Sequence, residues 1–560
     1  MALSYKLGEV PPYHADENFY VESSLRMVDS GDFITPVYHE KKRFAKPILY
    51  YWMVATSYKI FGFSLASARL PSVLFGTFSV GLIFLLACRL FDSRVGLFSA
   101  FILPSIYLHF QISRWSTTDM ALSFFILLAL YFFVLLFETE FKKSIFAYLF
   151  YLSMGLGFMV KGPPAILIPG LTVAGFLIAT KRKSWFKDLF VAKGLGILAI
   201  IILPWFMAMF WMHGEEFKNH IVGNEIKNRL VHDTPFSFYY VGVLFRYQLP
   251  WSLFFFFAAL RQFGFSGFRA EKSIAWVERI KGLGRNIRSH VYLLFQEGRE
   301  SIVFCYIWIG VCLALFTLLR VEHSRYMLPC CPAFAILTAK FFADVEKNPL
   351  EFNSLGFKGS NFVSFLILLI LSILAAVGIF IFDSGSATQI LLPVVLLVGA
   401  ISLIWFFRSE SSGKLVFSLS LVLVVTFSSV SGDVLPFVNR YPMKKFANHI
   451  NLEKFNGPIG VYQLGSHRAR LGVLTGRTVV MLQSPDEVES FLREKQKIYL
   501  IIKESDWRKD FSIPGVKIVK SDQVGIKAKI QAKDIMAPYG FEKLREKLNA
   551  TETLYFLSNK

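Results

Sequence analysis

Cysteine is scarce in this chain of 560 residues, and its five cysteines have no ligand or disulfide spacing. Cys88, Cys305, Cys312, Cys330 and Cys331 lie in or beside apolar segments without a CxxC pair. That arrangement excludes a disulfide framework and a thiolate metal centre, and leaves helix packing. No HExxH, tandem repeat or low-complexity segment occurs. The opening MALSYKLGEVPPYH has no apolar h-region, so no signal peptide is expected. Acid is also short: 40 Asp and Glu stand against 60 Lys and Arg, a net charge of +20. The excess does not point to nucleic acid, because the basic residues gather in short runs between apolar segments, as the positive-inside rule requires.

Hydrocarbon is what the chain has in plenty. It is 54% hydrophobic and 16% aromatic, with 60 Phe, and its mean hydropathy is +0.48. This is the composition of an α-helical polytopic membrane protein. Runs long enough to cross ~30 Å of hydrocarbon number twelve: 69–91, 96–114, 120–138, 144–160, 165–180, 192–212, 241–260, 301–319, 327–343, 362–382, 388–407 and 414–431. The stretch 47–63 is broken by Lys59 and rich in Tyr and Trp, as an interfacial helix would be.

The basic loops at Lys142-Lys143, Lys181 to Lys187 and 261–300 fall on one side, which is then cytoplasmic. The opposite side receives 1–68, the turns at Asp119 and Lys161, the loop 213–240, the turn at 322–326, and everything after 432. Three regions follow: a first outer loop with interfacial helices (1–68), a transmembrane domain (69–431) and a C-terminal soluble domain (432–560). The last alternates short apolar runs (459–462, 478–482, 498–502) with helix-like stretches such as 485–494, a small α/β pattern without a catalytic motif. Twelve spans put a charged first loop outside with nothing apolar before it, so a thirteenth, upstream helix is expected.

Several polar groups return to that outer side. His14 to Tyr20 reads HADENFY, with the carboxylates Asp16 and Glu17 adjacent and Tyr20 close behind; Lys46-Pro47 follows some thirty residues on. Read singly, each group has a plain explanation. The DE pair could be a solvated loop, Asp119 a helix cap, Lys161 a snorkelling turn lysine, Arg325-Tyr326 an interface anchor, and Glu225, Arg229 and His232 solvated loop charges. His14, His39 and Glu40 lack the spacing of a firm metal site. Together, the groups fit chemistry on a lipid-borne phosphate. Lys46, Arg229 or Arg325 would stabilise a leaving polyprenyl phosphate, and a carboxylate opposite would act as general base toward an acceptor hydroxyl.

HADENFYVESSLRMVDSGDFITPV, KKRFAKPILYYWMVATSYKIFG, SARLPSVLFG, SRWSTTDMAL, MVKGPPAIL and RYMLPCCPAF occur in this order. Over about residues 10 to 345 the chain thereby resembles the ArnT-like branch of the PMT superfamily, GT-C fold glycosyltransferases of the bacterial inner membrane. The resemblance implies Asp16 as the catalytic carboxylate with Glu17 beside it, Asp119 as the later periplasmic aspartate, Lys46 on the lipid phosphate, and Arg229 and Tyr326 as the loop arginine and the tyrosine before Leu-Pro. Two positions depart from the pattern. Ala45 stands where a metal-contacting glutamate is common, which puts a divalent metal cofactor in doubt. Phe19 stands where an arginine is common. The implied activity is transfer of a sugar from a polyprenyl (undecaprenyl) phosphate carrier to lipid A or another surface glycan, on the periplasmic face. Protein O-mannosyl transfer is the alternative within enzymes. A lipid-linked sugar flippase or transporter is the alternative outside them, though transporters place their charges near the midplane.

Overall fold

The computed structural model describes residues 2–10, 12, 15–39, 41–189, 191–221, 223, 237–262, 299–320, 322–348, 352, 354–382, 387–436, 442–511, 513–525, 546 and 550–560. His14, Glu40, Glu225, Arg229 and His232, candidates from the sequence, lie outside these residues.

The DE stretch opens a helix, α1 (Ala15–Ser30), with Asp16 and Glu17 in its first turn, where the helix dipole favours acid. A solvated loop, the plain reading of the DE pair, is not what forms here. Gly31, at φ +75°, ends the helix in a conformation that glycine adopts without a Cβ penalty. The chain then forms a small hairpin, β1 (Val37–Tyr38) with β2 (Lys41–Lys42). Next comes α2 (Leu49–Phe61), which covers the expected interfacial stretch and buries Tyr50, Tyr51, Val54, Ala55 and Tyr58.

The membrane helices follow: α3 (Leu65–Leu90), α4 (Ser93–Ile102), α5 (Tyr107–Ile112), α6 (Thr118–Glu138), α7 (Ser144–Lys161), α8 (Pro164–Ala179), α9 (Val191–His220), α10 (Tyr239–Arg246), α11 (Trp251–Gln262), α12 (Glu300–Leu318), α13 (Cys331–Lys347), α14 (Leu355–Phe382), α15 (Ala387–Arg408) and α16 (Ser412–Ser429). Outward-facing apolar side chains such as Ile200, Trp211 and Trp405, 75, 89 and 70% exposed, make sense only against lipid.

The span count differs from twelve. Among the described residues nine helices are long and apolar enough to cross a membrane, or ten with a bent pair counted as one; Pro164–Ala179 is apolar but shorter. Two expected spans are broken. The run 96–114 stops at a 3₁₀ turn, Leu103–Ser105, after which Ile106 is extended (φ −77°, ψ 121°). The proline in that turn supplies no backbone N–H to continue the ladder. The run 241–260 bends by 117° between α10 and α11, again at a proline, Pro250. The expected side of the first loop therefore rests on the basic loops.

The C-terminal part adds α17 (Pro442–Leu452), β3 (Ile459–Tyr462), α18 (Gly465–Thr475), β4 (Val480–Leu482), α19 (Pro485–Leu492), β5 (Tyr499–Lys503), α20 (Glu504–Asp510), β6 (Lys517–Gly525) and β7 (Thr551–Ser558). Its five strands lie in the order β4-β3-β5-β7-β6, the first three parallel and the last two antiparallel. Met443, Phe446 and Leu471 pack on one face of the sheet, Val488 and Phe491 on the other. Covered on both faces, β3 reads as an unbroken apolar run.

Candidate active site

Four charged side chains from four separate helix or turn ends meet in one network. Asp16, in the first turn of α1, accepts from Arg325 Nη2 at 2.5 Å. Arg325 sits in the turn Ser324–Cys330 that leads into α13, and its Nε lies 3.9 Å from Asp119 Oδ2. Asp119, in the first turn of α6, also accepts from Lys161 Nζ. Lys161 is the last residue of α7, where the helix dipole favours a cation. Its ammonium lies 4.9 Å from the centre of the Tyr326 ring, a cation–π contact.

The network is therefore Asp16–Arg325–Asp119–Lys161, two acids and two bases. Charges this deep are tolerable only when paired. The side chains of Arg325, Asp119 and Lys161 are 11, 5 and 10% exposed, against 35% for Asp16. Asp16 is thus the member that an approaching group can reach. Capping does not account for Asp119, because the cap position is Thr117 and its side chain makes no cap bond. Tyr20 closes the inner side: its hydroxyl lies 3.5 Å from Thr118 Oγ1, and its ring packs 5.2 and 5.1 Å from Tyr50 and Tyr51. Burial holds the Tyr20 phenol well above its ordinary pKa, so at neutral pH it offers a neutral hydroxyl.

Glu17 goes elsewhere. It is fully buried and accepts from Arg69 Nε at 2.6 Å, Arg69 Nη2 at 3.0 Å and the Ser116 N–H at 3.0 Å. Arg69 Nη1 donates to the carbonyls of Leu7 and Val10 at 2.6 and 2.7 Å. The two carboxylates of the DE pair thus do different work, since neighbours on a helix point about 100° apart. Asp16 faces the open network, while Glu17 fastens α1 to α3 and to the turn before α6. Sequence reasoning missed Arg69, although an arginine at the start of an apolar run was the signal that a buried acid must meet it.

Beside the network the hairpin turns cationic residues back over α1. Glu22 accepts from the His39 N–H at 2.9 Å and lies 3.3 Å from His39 Nδ1, which pins the hairpin tip. Burial alone would raise the Glu22 pKa, but the hydrogen bonds from His39 outweigh it and the net shift is downward. Arg43 then stacks on Phe19, its Cζ 3.6 Å from the ring centre, while the Phe19 ring meets Tyr38 edge-on at 4.7 Å. A guanidinium from the hairpin thereby rests on the very residue that departs from the family pattern. Lys46 lies between this hairpin and α2 and is half-buried.

Two cavities flank the hairpin. One, of about 550 Å³, is lined by Tyr38, His39, Lys41, Lys42, Arg43, Phe44, Ala45, His220 and Arg468. The other, of about 880 Å³, is apolar, with Phe206, Met207, Phe210, Trp211 and Phe217 in its wall. It lies along α9 around the kink at Gly214 (φ 47°). Phe44 and Phe217 meet edge-on at 5.4 Å between the two. Among the described residues no group of three or more His, Cys, Asp or Glu could hold a metal ion. Asp16 and Asp119 pair with Arg325 and Lys161, and no step is routed through a metal.

Residues 45–208 match the family described as Dolichyl-phosphate-mannose-protein mannosyltransferase. An uncharacterised protein of Aquifex aeolicus (strain VF5) is 26% identical over 482 residues, 85% of each chain. The undecaprenyl phosphate-alpha-4-amino-4-deoxy-L-arabinose arabinosyl transferase of Yersinia pestis (strain Pestoides F) is 27% identical over 346 residues, 60% of this chain and 56% of that enzyme. The crystal structure of ArnT from Cupriavidus metallidurans bound to undecaprenyl phosphate superimposes with a TM-score of 0.68 at 18% identity, over 90% of this chain and 92% of that one. Taken with the helical architecture, these likenesses show that the chain shares the fold of that ArnT structure and is similar to ArnT-like glycosyltransferases of the PMT superfamily.

Proposed function

We propose that this protein transfers a sugar from a polyprenyl (undecaprenyl) phosphate carrier to lipid A or another cell-envelope acceptor, at the periplasmic face of the bacterial inner membrane. The observation that carries the reading is the network in which Arg325 ties Asp16 to Asp119 at the ends of the membrane helices. The relative that acts on an undecaprenyl-phosphate-linked sugar and the neighbour that holds undecaprenyl phosphate support the choice of donor.

In this reading the isoprenoid chain of the donor lies in the apolar cavity along α9, the cavity whose chemistry suits it. Lys46 and Arg325 receive the phosphate as fixed positive charges. As the acceptor oxygen bonds to the anomeric carbon, the bond from that carbon to the phosphate oxygen breaks and its electrons stay on the phosphate. Fixed cations stabilise that developing charge without reorganising. Asp16 takes the proton when the acceptor is a hydroxyl. When the acceptor is an ionised phosphate no proton need leave, and the Asp16 charge instead stabilises positive charge growing on the sugar ring. Asp119 and Lys161 hold Arg325 in place.

Protein mannosylation, the activity in the matched family's description, is less favoured, because the relatives aligned over most of this length include an aminoarabinose transferase. The test is a transfer assay with purified protein, undecaprenyl-phosphate-linked pentose, hexose and amino-sugar donors, and lipid A or acceptor peptide. Labelled lipid A together with released undecaprenyl phosphate is the expected result. Labelled peptide and unlabelled lipid A would overturn the choice of acceptor.

A further inference from the structure

The cationic cavity beside the hairpin draws its wall from three distant parts of the chain. Lys41, Lys42 and Arg43 come from the hairpin, His220 from the end of α9, and Arg468 from α18 of the C-terminal sheet domain. Among the described residues no carboxylate lines it. Two acids among the described residues are engaged with its wall: Glu216 accepts from Lys42 Nζ at 2.7 Å, and Glu22 holds His39. Arg468 lines the cavity, and its Nε donates to its own domain, to the Val479 carbonyl at 2.8 Å, which fixes the guanidinium plane. Arg43 Nε is buried without a hydrogen-bond acceptor among the described residues. Such a donor is costly unless something outside the chain completes it.

The C-terminal domain is held where this requires. Arg26 of α1 donates to Thr478. A Cβ built at Gly476 would lie 3.3 Å from both Leu25 of α1 and Phe63. Gly476 has φ +67°, which glycine adopts freely. Arg43 joins the cavity to the helix that carries the network: it rests on Phe19, which follows Asp16 by three residues, ~4.5 Å along the axis of α1.

We propose that this cavity is an anion subsite for a phosphomonoester of the acceptor, so that the C-terminal domain supplies a binding residue, Arg468, to the transfer site. The inference rests on the glycosyl-transfer reading above. Charge favours acceptor over donor. A sugar linked to a polyprenyl phosphate is a phosphodiester with a single negative charge, whereas a phosphomonoester carries about −1.5 to −2 near neutral pH. Lys41, Arg43 and Arg468 remain after Lys42 is paired with Glu216, more cationic charge than the donor linkage needs. Most of the lining residues are polar or charged and lie outside the membrane helices apart from the end of α9, so the wall suits a headgroup.

The test uses full-length protein, one polyprenyl-phosphate sugar donor, and a glucosamine-disaccharide lipid acceptor with and without its phosphates. Arg468→Ala and Lys41→Ala should each raise KM for the phosphorylated acceptor by about ten- to a hundredfold, the loss of one charge-assisted contact. Donor KM and KM for the dephosphorylated acceptor should stay unchanged, and Arg468→Lys should recover part of the loss. Lys41 is exposed, so its variant separates binding from folding. A rise in donor KM instead, an equal effect on both acceptors, or no effect would overturn the proposal. If the wild type transfers to no acceptor, the glycosyl-transfer reading fails first. Calorimetric binding of the phosphorylated disaccharide, lost in both variants, would then still support the subsite, and no binding by the wild type would overturn it.

Discussion

Replacing Glu17 by Gln should unfold this protein at a markedly lower temperature while sparing more of its chemistry than the same change at Asp16. Glu17 is fully buried and Arg69 is 3% exposed. Arg69 meets Glu17 at 2.6 and 3.0 Å, and the Ser116 N–H uses Glu17 Oε1 at 3.0 Å. Gln keeps the shape but neutralises the carboxylate and turns one acceptor into a donor facing the guanidinium. Arg69 is then left as a buried charge held only by the Leu7 and Val10 carbonyls. Breaking one partner of a buried pair costs about 3 to 5 kcal/mol, a large share of a folded domain's margin of roughly 5 to 15 kcal/mol. Thermal unfolding in detergent is the assay, with Glu17→Gln, Arg69→Met and the double variant. The double variant should be less destabilised than the sum of the singles, because neither charge is stranded. The loss should also change little with salt, since buried pairs are weakly screened. A Glu17→Gln protein that melts like the wild type yet has lost transfer would refute the reasoning and put Glu17 among the reacting groups.

Asp16→Asn should lower kcat by about 10² to 10⁴ for a hydroxyl acceptor, with melting near that of the wild type; normal turnover would remove Asp16 from the mechanism. Lys46→Ala should raise donor KM by about ten- to a hundredfold, the worth of a charge-assisted contact to phosphate, and unchanged donor dependence would move the clamp to Arg325. His467 in α18 gives a pH signature: burial first, then the nearby Arg470 and Lys503 charges, depresses its pKa to about 4. Its folded-state value lies below the unfolded one of ~6.5, so its contribution to stability is complete above pH ~6.5 and is lost as pH falls toward 4. His467→Gln should flatten the melting temperature over that window, and an unchanged slope would show that another group governs it. Gly476→Val should strain the φ +67° turn and crowd Leu25 and Phe63, releasing the C-terminal domain to proteolysis; a protease pattern like that of the wild type would contradict the docking.

The membrane scaffold was largely legible because lipid allows few alternatives: an apolar run of twenty residues has little choice but to be a helix. The runs through Pro104 and Pro250 were misread because hydropathy is nearly blind to a lost N–H, and chain direction there is set by backbone geometry. Asp119, Lys161 and Arg325 stood out in the sequence as polar groups at the ends of apolar runs, and the structure brings them together with Asp16. The division of labour between Asp16 and Glu17 did not show, since adjacency in sequence conceals divergence on a helix. Arg43 and Arg468 were invisible for a different reason. Each lies in a polar segment where a charge is unremarkable, and only the hairpin and the docked domain give them a shared cavity. In the tail, β3, β4 and β5 announce themselves as apolar runs, whereas β6 (KIVKSDQVG), on the sheet edge, mixes charge with apolar residues and carries no such signal.

The central claim is tested most directly by mass spectrometry of lipid A and surface glycans from cells with and without the gene. The account expects loss of one sugar increment, a pentose, hexose or amino sugar, from an envelope glycolipid, together with accumulation of the sugar-charged polyprenyl phosphate. Wild-type protein should restore the increment and Asp16→Asn should not. Identical glycolipid and carrier profiles in the two strains would contradict it.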